Sequence, residues 1–240
     1  MSESWSKGET TGQCSCTGLS RRHFILAGLS TALMASQVLA DGHGDKARLI
    51  AGSAKADGKR VSGEAILAEK PFKLVTGKDA AIAAIGSNVF LLSPGTEIDF
   101  EIDGENRFSG FKIALGAVHS VFTPKAGNRR VETPHATIGI RGTGHYVEVQ
   151  PDLKRTYSCC CYGGIELKNT TSGVSVAQET AYHEARIITA DGAIGPAPYD
   201  VPLNHYDDSL VHLESLVGRS PHWTLPGGEL IFLSPTPIPQ

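Results

Sequence analysis

The sequence predicts an all-β fold: a two-sheet sandwich or roll of short, mainly antiparallel strands with one short helix near the C terminus. Glycine and proline supply 27 and 13 of the 240 residues. They interrupt short apolar runs roughly every eight to twelve residues, a spacing typical of many short strands. Apolar and polar residues alternate strictly at residues 97–102 and 147–149. Such strands bury one face and expose the other, which predicts a sheet with a single inner face.

The chain begins with a pattern typical of an export signal. Arg21 and Arg22 stand just before Phe24, which opens an apolar run at residues 24–35. This run has the length of a signal-peptide core and is shorter than the roughly 20 apolar residues that span a bilayer. Small or modest side chains then lead to Ala40, followed by a polar, glycine-rich stretch. We therefore expect residues 1–40 to be a signal peptide that is cleaved after Ala40.

Two adjacent arginines followed by phenylalanine and aliphatic residues resemble the twin-arginine export signal, which moves folded proteins out of the bacterial cytoplasm. The pattern predicts a periplasmic protein. The alternative is an ordinary amphipathic first helix in which Arg21 and Arg22 are merely solvated. Folding before export is one way to carry a cofactor across the membrane, so the signal also favours a bound group.

Charge and hydropathy limit the partners of the exported chain. Removal of residues 1–40 leaves 200 residues, enough for one domain or one domain with a small appendage. The formal charge then moves from −3 to −4, because the leader carries Lys7, Arg21, Arg22, Glu3 and Glu9. This acidic balance gives no basis for nucleic-acid binding. No apolar run after residue 40 is long enough to span a membrane, so we expect no transmembrane helix after signal removal.

The remaining chain divides into three predicted regions: an extension with the first strands at 41–70, a β domain at 71–190, and a helix with a proline-rich tail at 191–240. The predicted strands are 72–75, 80–85, 88–92, 97–102, 111–115, 117–122, 129–133, 136–140, 145–150, 155–162, 165–169, 174–177 and 182–189. A helix is predicted at 207–218, where apolar residues recur with helical spacing and Gly218 provides a C-cap.

The middle of the chain resembles the FecR domain family. A Thr-Pro step at 133–134 precedes an aliphatic strand at 136–140 and an Arg-Gly-Thr turn at 141–143, and a glycine pair stands before Ile165. The match covers roughly residues 73–169. This resemblance implies an all-β, extracytoplasmic sensing or binding module.

The glycines around Thr143 also predict a turn without reference to any family. They allow positive-φ or bulge geometry between the strands at 136–140 and 145–150. The predicted turn consists of Arg141, Gly142, Thr143 and Gly144. Arg141 is either a ligand-binding guanidinium or a structural one that bonds the carbonyls of the turn.

Three consecutive cysteines are the strongest candidates in the sequence for metal binding or redox chemistry. Cys14 and Cys16 leave with the leader, and Cys159, Cys160 and Cys161 remain. Because side chains alternate along a strand, Cys159 and Cys161 share one face and Cys160 lies on the other. Their Cα atoms would be about 6.6 Å apart, at the upper edge of what a disulfide tolerates.

Two thiolates on one face, together with an imidazole, suit Zn(II) or Cu(I). We therefore hypothesise a site formed by Cys159, Cys161 and His183, with His145 or His119 as a fourth ligand. The cofactor would be zinc, copper(I) or another group held by thiolate and imidazole, haem included. Two alternatives stay open: a disulfide or redox-labile thiols, and inert packing in the core.

The remaining histidines and sequence motifs give little indication of another functional site. His205, His212 and His222 are predicted to be surface or interface residues, because His205 and His212 lack the spacing of a helical zinc pair. The chain has no nucleophile elbow, phosphate loop or dinucleotide fingerprint, so an enzyme is not expected.

These patterns favour an exported, FecR-like ligand-binding or signal-sensing module that responds to metal or redox state. The alternative is a structural or interaction domain with buried, inert cysteines. The expected partner is a periplasmic or envelope protein, or a small ligand.

Overall fold

The computed structural model describes residues 46–68, 70–103, 107–124, 129–221 and 223. The predicted signal peptide, with Arg21, Arg22, Phe24 and the cleavage point at Ala40, lies outside the described residues. So does most of the proline-rich tail.

The described residues form thirteen strands and one α-helix, so the prediction of an all-β protein is confirmed. The strands are β1 Ala47–Ala56, β2 Lys59–Ser62, β3 Ala65–Ala68, β4 Phe72–Ile85, β5 Asn88–Leu92, β6 Glu97–Ile102, β7 Phe108–Val121, β8 Arg129–Glu132, β9 Ala136–Gln150, β10 Arg155–Asn169, β11 Ser175–Thr180, β12 Glu184–Thr189 and β13 Ile194–Pro196. A 3-10 turn at Pro151–Leu153 joins β9 to β10, and helix α1 spans Asp207–Ser215.

All thirteen strands belong to one hydrogen-bonded sheet that rolls up on itself. The main path runs β13-β12-β10-β9-β8-β7-β5-β4-β1-β2, with β11 paired to β10 and β3 to β1. Both β5 and β6 pair with β4 and with β7, so these four strands close a ring. Pairing is antiparallel apart from β7 with β8. Of the two architectures expected from sequence, the structure is therefore the roll.

Glycines bend the long strands where the sequence predicted breaks between shorter ones. Gly116 lies within β7 at φ 91° and Gly142 within β9 at φ 89°. Across β9 and β10, Ile140 pairs with Ile165 and Thr143 with Gly163, so two residues of β9 face one of β10. The predicted turn at Arg141, Gly142, Thr143 and Gly144 is therefore wrong: Arg141 and Gly142 form a bulge inside a continuous strand, and Thr143 and Gly144 resume the pairing with β10.

Arg141 makes a different contact from either of those predicted. Its side chain is 71% exposed, and Nη2 lies 3.3 Å from Oε2 of Glu166 on β10. This is an exposed cross-strand ion pair, which adds little to stability.

Two apolar clusters hold the roll together. The larger fills its interior and contains a group of phenylalanines whose rings contact one another: Phe72, Phe90, Phe100, Phe108, Phe111 and Phe122. The smaller contains Cys159 and Cys161 of the sheet together with Leu210 and Leu213 of α1 and Trp223. The smaller cluster places the helix on the same side of the sheet as Cys159 and Cys161, closest to β7 and β5.

Helix α1 begins at Asp207, as predicted, and buries Leu210 and Leu213. The chain turns away at Gly218, whose φ of 68° allows the Arg219 amide to donate to the Glu214 carbonyl at 2.9 Å. This is the glycine-dependent end of a helix that the sequence predicted. Within the described ranges, no helix is long and apolar enough to cross a membrane.

We expect Gly116→Ala to destabilise the fold by about 2–3 kcal/mol, because a side chain there is strained at φ 91° and has no space. An added Cβ would lie 2.5 Å from Oγ1 of Thr96, which bonds the backbone of Ala117. Gly77→Ala is the matched control: it is also in a strand, but a Cβ there meets nothing within 4 Å. Urea unfolding of both variants checks the difference, and equal midpoints would contradict it.

Candidate metal centre

Strand β10 presents two of its three cysteines to the same cluster. Its register with β9 shifts between Cys160, which pairs with His145, and Tyr162, which pairs with Gly144, so Cys161 occupies a bulge. Cys159 and Cys161 belong to the smaller apolar cluster, whereas Cys160 belongs to the larger one. The predicted division of faces is therefore present. All three side chains are fully buried, and none forms a disulfide with another residue that the structure describes.

His183 reaches the cysteines from the connection between β11 and β12. Its backbone amide donates to the Cys161 carbonyl at 3.0 Å, which holds the residue in the left-handed region at φ 26°. Strained backbone of this kind persists only where surrounding contacts fix it. Nδ1 of the ring lies 3.5 Å from Sγ of Cys159. The structure places His183 beside the two cysteines, and its ligation of a metal stays a prediction.

A carboxylate on α1 orients the His183 ring. Nε2 of His183 donates to Oδ1 of Asp207 at 2.8 Å, and the Tyr182 hydroxyl donates to Oδ2 at 2.6 Å. With Nε2 protonated, the lone pair of the neutral imidazole lies on Nδ1, facing Cys159. This carboxylate–histidine arrangement is the one that supports metal-bound histidines in proteins.

His205 supplies a further imidazole from the segment between β13 and α1. Its side chain is 3% exposed and stacks on Tyr146 with ring centres 4.3 Å apart. Nδ1 donates to the Leu203 carbonyl at 2.7 Å, which leaves the lone pair on Nε2. Nε2 is buried and has no hydrogen-bond partner among the described residues. A buried polar atom without a partner is costly, and a metal ion would satisfy it.

The ligand atoms of Cys159, Cys161, His183 and His205 all lie within 4.8 Å of one another. These residues are the four-donor cluster. A tetrahedron with Zn–S bonds of about 2.3 Å and Zn–N bonds of about 2.0 Å has a mixed edge of roughly 3.5 Å. The Cys159–His183 separation already has this length, and no separation needs to contract by more than about 1.5 Å. The residues present therefore fit a tetrahedral Zn(II) or Cu(I) ion.

The electrostatics of the cluster favour one thiolate without a metal. Hydrogen bonding with Cys161 lowers the pKa of the Cys159 thiol well below its ordinary value, burial opposes this, and His183 and His205 lower it further. Burial raises the pKa of the Cys161 thiol well above its usual value. Burial lowers the pKa of His183, but Cys159 and Asp207 outweigh it and leave that pKa raised. These directions favour a Cys159 thiolate beside the His183 ring, and a cation bound in the cluster would face that thiolate.

The two fourth ligands suggested by the sequence lie outside the four-donor cluster. Nε2 of His119 is 3.7 Å from Sγ of Cys161, so this ring adjoins one thiol only. Nε2 of His145 pairs with the Ser158 hydroxyl at 2.9 Å, and burial lowers the pKa of His145 to about 4. His119 can donate a hydrogen bond to a Cys161 thiolate, whereas His145 faces away with Ser158.

His205 was predicted to lie at the surface or at an interface, but it is buried and belongs to the four-donor cluster. The prediction was wrong because it was based only on the spacing between His205 and His212, which does not fit two zinc ligands on one helix. His205 precedes α1 in an irregular segment, and only the docking of that segment brings its ring to Cys159. A usable signal was available in the apolar face of α1, which had to cover part of the sheet. His212 is exposed, as expected, and His222 lies outside the described residues.

No protein-family model matches the sequence, and no curated protein matches it either. Two crystal structures from Parabacteroides distasonis ATCC 8503, each provisionally assigned as an anti-sigma factor, are similar to part of the chain. They have TM-scores of 0.43 and 0.41 and sequence identities of 14% and 15%, over 53% and 51% of this chain. The alignments span only 59% and 57% of those chains.

Proposed function

We propose that this protein is a binding module that holds one thiophilic metal ion, Zn(II) or Cu(I), in the four-donor cluster. The observation that carries the proposal is the buried Nε2 of His205, which has no hydrogen-bond partner among the residues that the structure describes and lies near the thiols of Cys159 and Cys161. Two thiolates and two neutral imidazoles form a donor set typical of structural zinc, and soft thiolates also suit copper(I). Zn(II) with two thiolates is electrically neutral, which suits a buried site.

The geometry supports binding rather than catalysis. Catalytic zinc sites keep one coordination position for water or substrate, whereas four protein ligands close the coordination shell. The surroundings are also apolar: Leu210 and Leu213 pack in the same cluster, and the Trp223 ring lies 6.3 Å from the His183 ring. We infer that the ion stabilises the protein or reports metal availability, and that the chain is not an enzyme.

Titration of the metal-free, reduced chain tests the proposal. We expect Zn(II) or Cu(I) to bind with a stoichiometry of about one ion per chain and to raise the unfolding temperature, because only the folded state brings the ligands together. Co(II) in place of zinc should show the visible absorption of a tetrahedral thiolate site. Binding of less than about a tenth of an equivalent of both ions would refute the proposal.

Asp207→Asn should weaken zinc binding by about 10–100-fold without unfolding the protein, because the amide no longer accepts a charge-assisted bond from His183. Asp208→Asn is the matched control, since it removes the same charge from the first turn of α1 and Asp208 is exposed. Competition with a chromophoric chelator measures both affinities. Equal affinities for the two variants would show that Asp207 does not support the site.

We also propose that the module works outside the cytoplasm as a FecR-like sensing domain, exported through the twin-arginine pathway. The support is the Arg21-Arg22 pair ahead of the apolar run, and the residues around 133–143 that resemble the family. Replacing both arginines with lysine should keep the protein in the cytoplasm of a bacterial host. Export of that variant at the rate of the natural sequence would contradict the assignment.

A further inference from the structure

The four-donor cluster joins the sheet to the segment that follows its last strand. Cys159, Cys161 and His183 lie on or beside the sheet. His205, together with Asp207, belongs to residues 199–221, the C-terminal arm, which follows β13 and contains α1. A metal bound to all four ligands therefore connects the sheet to the arm.

The arm is attached to the sheet mainly by side chains. From residue 199 to residue 219, the backbone-to-backbone hydrogen bonds of the described residues stay within the arm. Polar links to the sheet include the Leu203 amide donating to the Tyr157 hydroxyl at 3.1 Å and Asn204 Nδ2 donating to Glu148 at 3.0 Å. Strand pairing thus ends at β13, and the arm can separate without breaking the sheet.

Helix α1 depends on that attachment. It has nine residues, and Tyr206 at its N-cap makes no side-chain capping bond. Isolated helices of this length are marginal in water, so packing must stabilise it. Leu210, Leu213 and Leu216 supply the packing through the smaller apolar cluster. Releasing the arm would therefore expose these leucines and unravel the helix.

We propose that the metal acts as a latch: ion binding docks the C-terminal arm, and ion loss releases it with its leucine face. The inference rests on the proposed function, because it assigns a regulatory consequence to the same site. The undocked state keeps only Cys159, Cys161 and His183 as ligands, so it binds the ion more weakly. Because the ion binds the docked state more tightly, ion binding shifts the equilibrium between the undocked and docked arm toward docking. The shift equals the ratio of the ion's affinities for the two states. The unpartnered Nε2 of His205 adds to this bias, since an undocked His205 regains water.

Hydrogen exchange of the full, reduced chain with and without saturating Zn(II) tests the latch. We expect amides of residues 208–217 to exchange at least about tenfold more slowly with zinc, within the usual range of coupling between sites. Amides of β6 and the first half of β7 serve as the internal control and should change much less. In His205→Gln, excess zinc can still fill the three remaining ligands, and the protection of residues 208–217 should no longer depend on zinc.

The outcomes separate this inference from the proposed function. If no ion binds, both fail. If one ion binds and residues 208–217 exchange equally fast in both states, the latch is refuted and the metal site stands. If His205→Gln retains the full zinc-dependent protection at measured one-to-one occupancy, His205 is not the connection and the latch is again refuted. Circular dichroism of this variant verifies that the sheet is intact.

Discussion

Replacing Cys159 and Cys161 together with serine is expected to lower the affinity for Zn(II) by at least about a thousandfold. The variant loses both thiolates of the four-donor cluster, and a neutral hydroxyl is a poor ligand for zinc. The ligands of a structural zinc contribute binding energy that is also folding energy, so the zinc-dependent rise in unfolding temperature should vanish as well.

Cys160→Ala provides the matched control. Cys160 is equally buried and adjacent in sequence, but its thiol points into the larger core and contacts the Gly163 carbonyl at 3.5 Å. We expect this variant to keep one-to-one zinc binding while losing about 1 kcal/mol of stability. Isothermal titration with zinc compares the three proteins. Tight zinc binding by the double variant would contradict the assignment of the ligands.

Phe90→Ala is expected to reduce the free energy of unfolding by about 3–5 kcal/mol, a large part of the stability of a domain this size. Phe90 is fully buried on β5, which lies in the closed ring of four strands. The centre of its ring lies 5.0 Å from the ring centre of Phe100 and 5.2 Å from that of Phe108. The ring centres of Phe111 and Phe122 are 5.8 and 5.9 Å away. Truncation removes these contacts and leaves a cavity that strand pairing prevents from collapsing.

Ile66→Ala is the control for Phe90→Ala, since Ile66 is an apolar strand residue that is 69% exposed. Its truncation should change stability by less than about 0.5 kcal/mol. Chemical unfolding of the metal-free forms isolates the core from any effect of zinc. A loss below about 1 kcal/mol for Phe90→Ala would show that the phenylalanine cluster does not hold the roll together.

The strands were readable from sequence because apolar residues alternate over short distances, as in β6. The full length of the strands could not be read from the sequence. Gly116 and Gly142 look like strand breaks, yet each bends a strand that continues past it. Whether a glycine ends a strand or bends it depends on partners far away in sequence, such as Thr96 against Gly116.

The candidate site was predictable to the extent that it is local. Cys159 and Cys161 follow from the alternation of a strand, and His183 follows from a connection that returns beside β10. His205 comes from the C-terminal arm, whose position is set by the packing of Leu210 and Leu213 on the sheet. Such packing leaves no pattern near His205 itself. The bulge at Cys161 is likewise a property of the β9–β10 register and not of the cysteine triplet.

Native mass spectrometry of the full chain, purified under reducing conditions without chelator, tests the central claim most directly. The account predicts a mass increase of one zinc or copper ion per chain, lost on acidification and absent from the Cys159→Ser, Cys161→Ser variant. A natural protein that is folded and reduced but carries no ion, and that takes up neither zinc nor copper(I) when they are supplied, would contradict it.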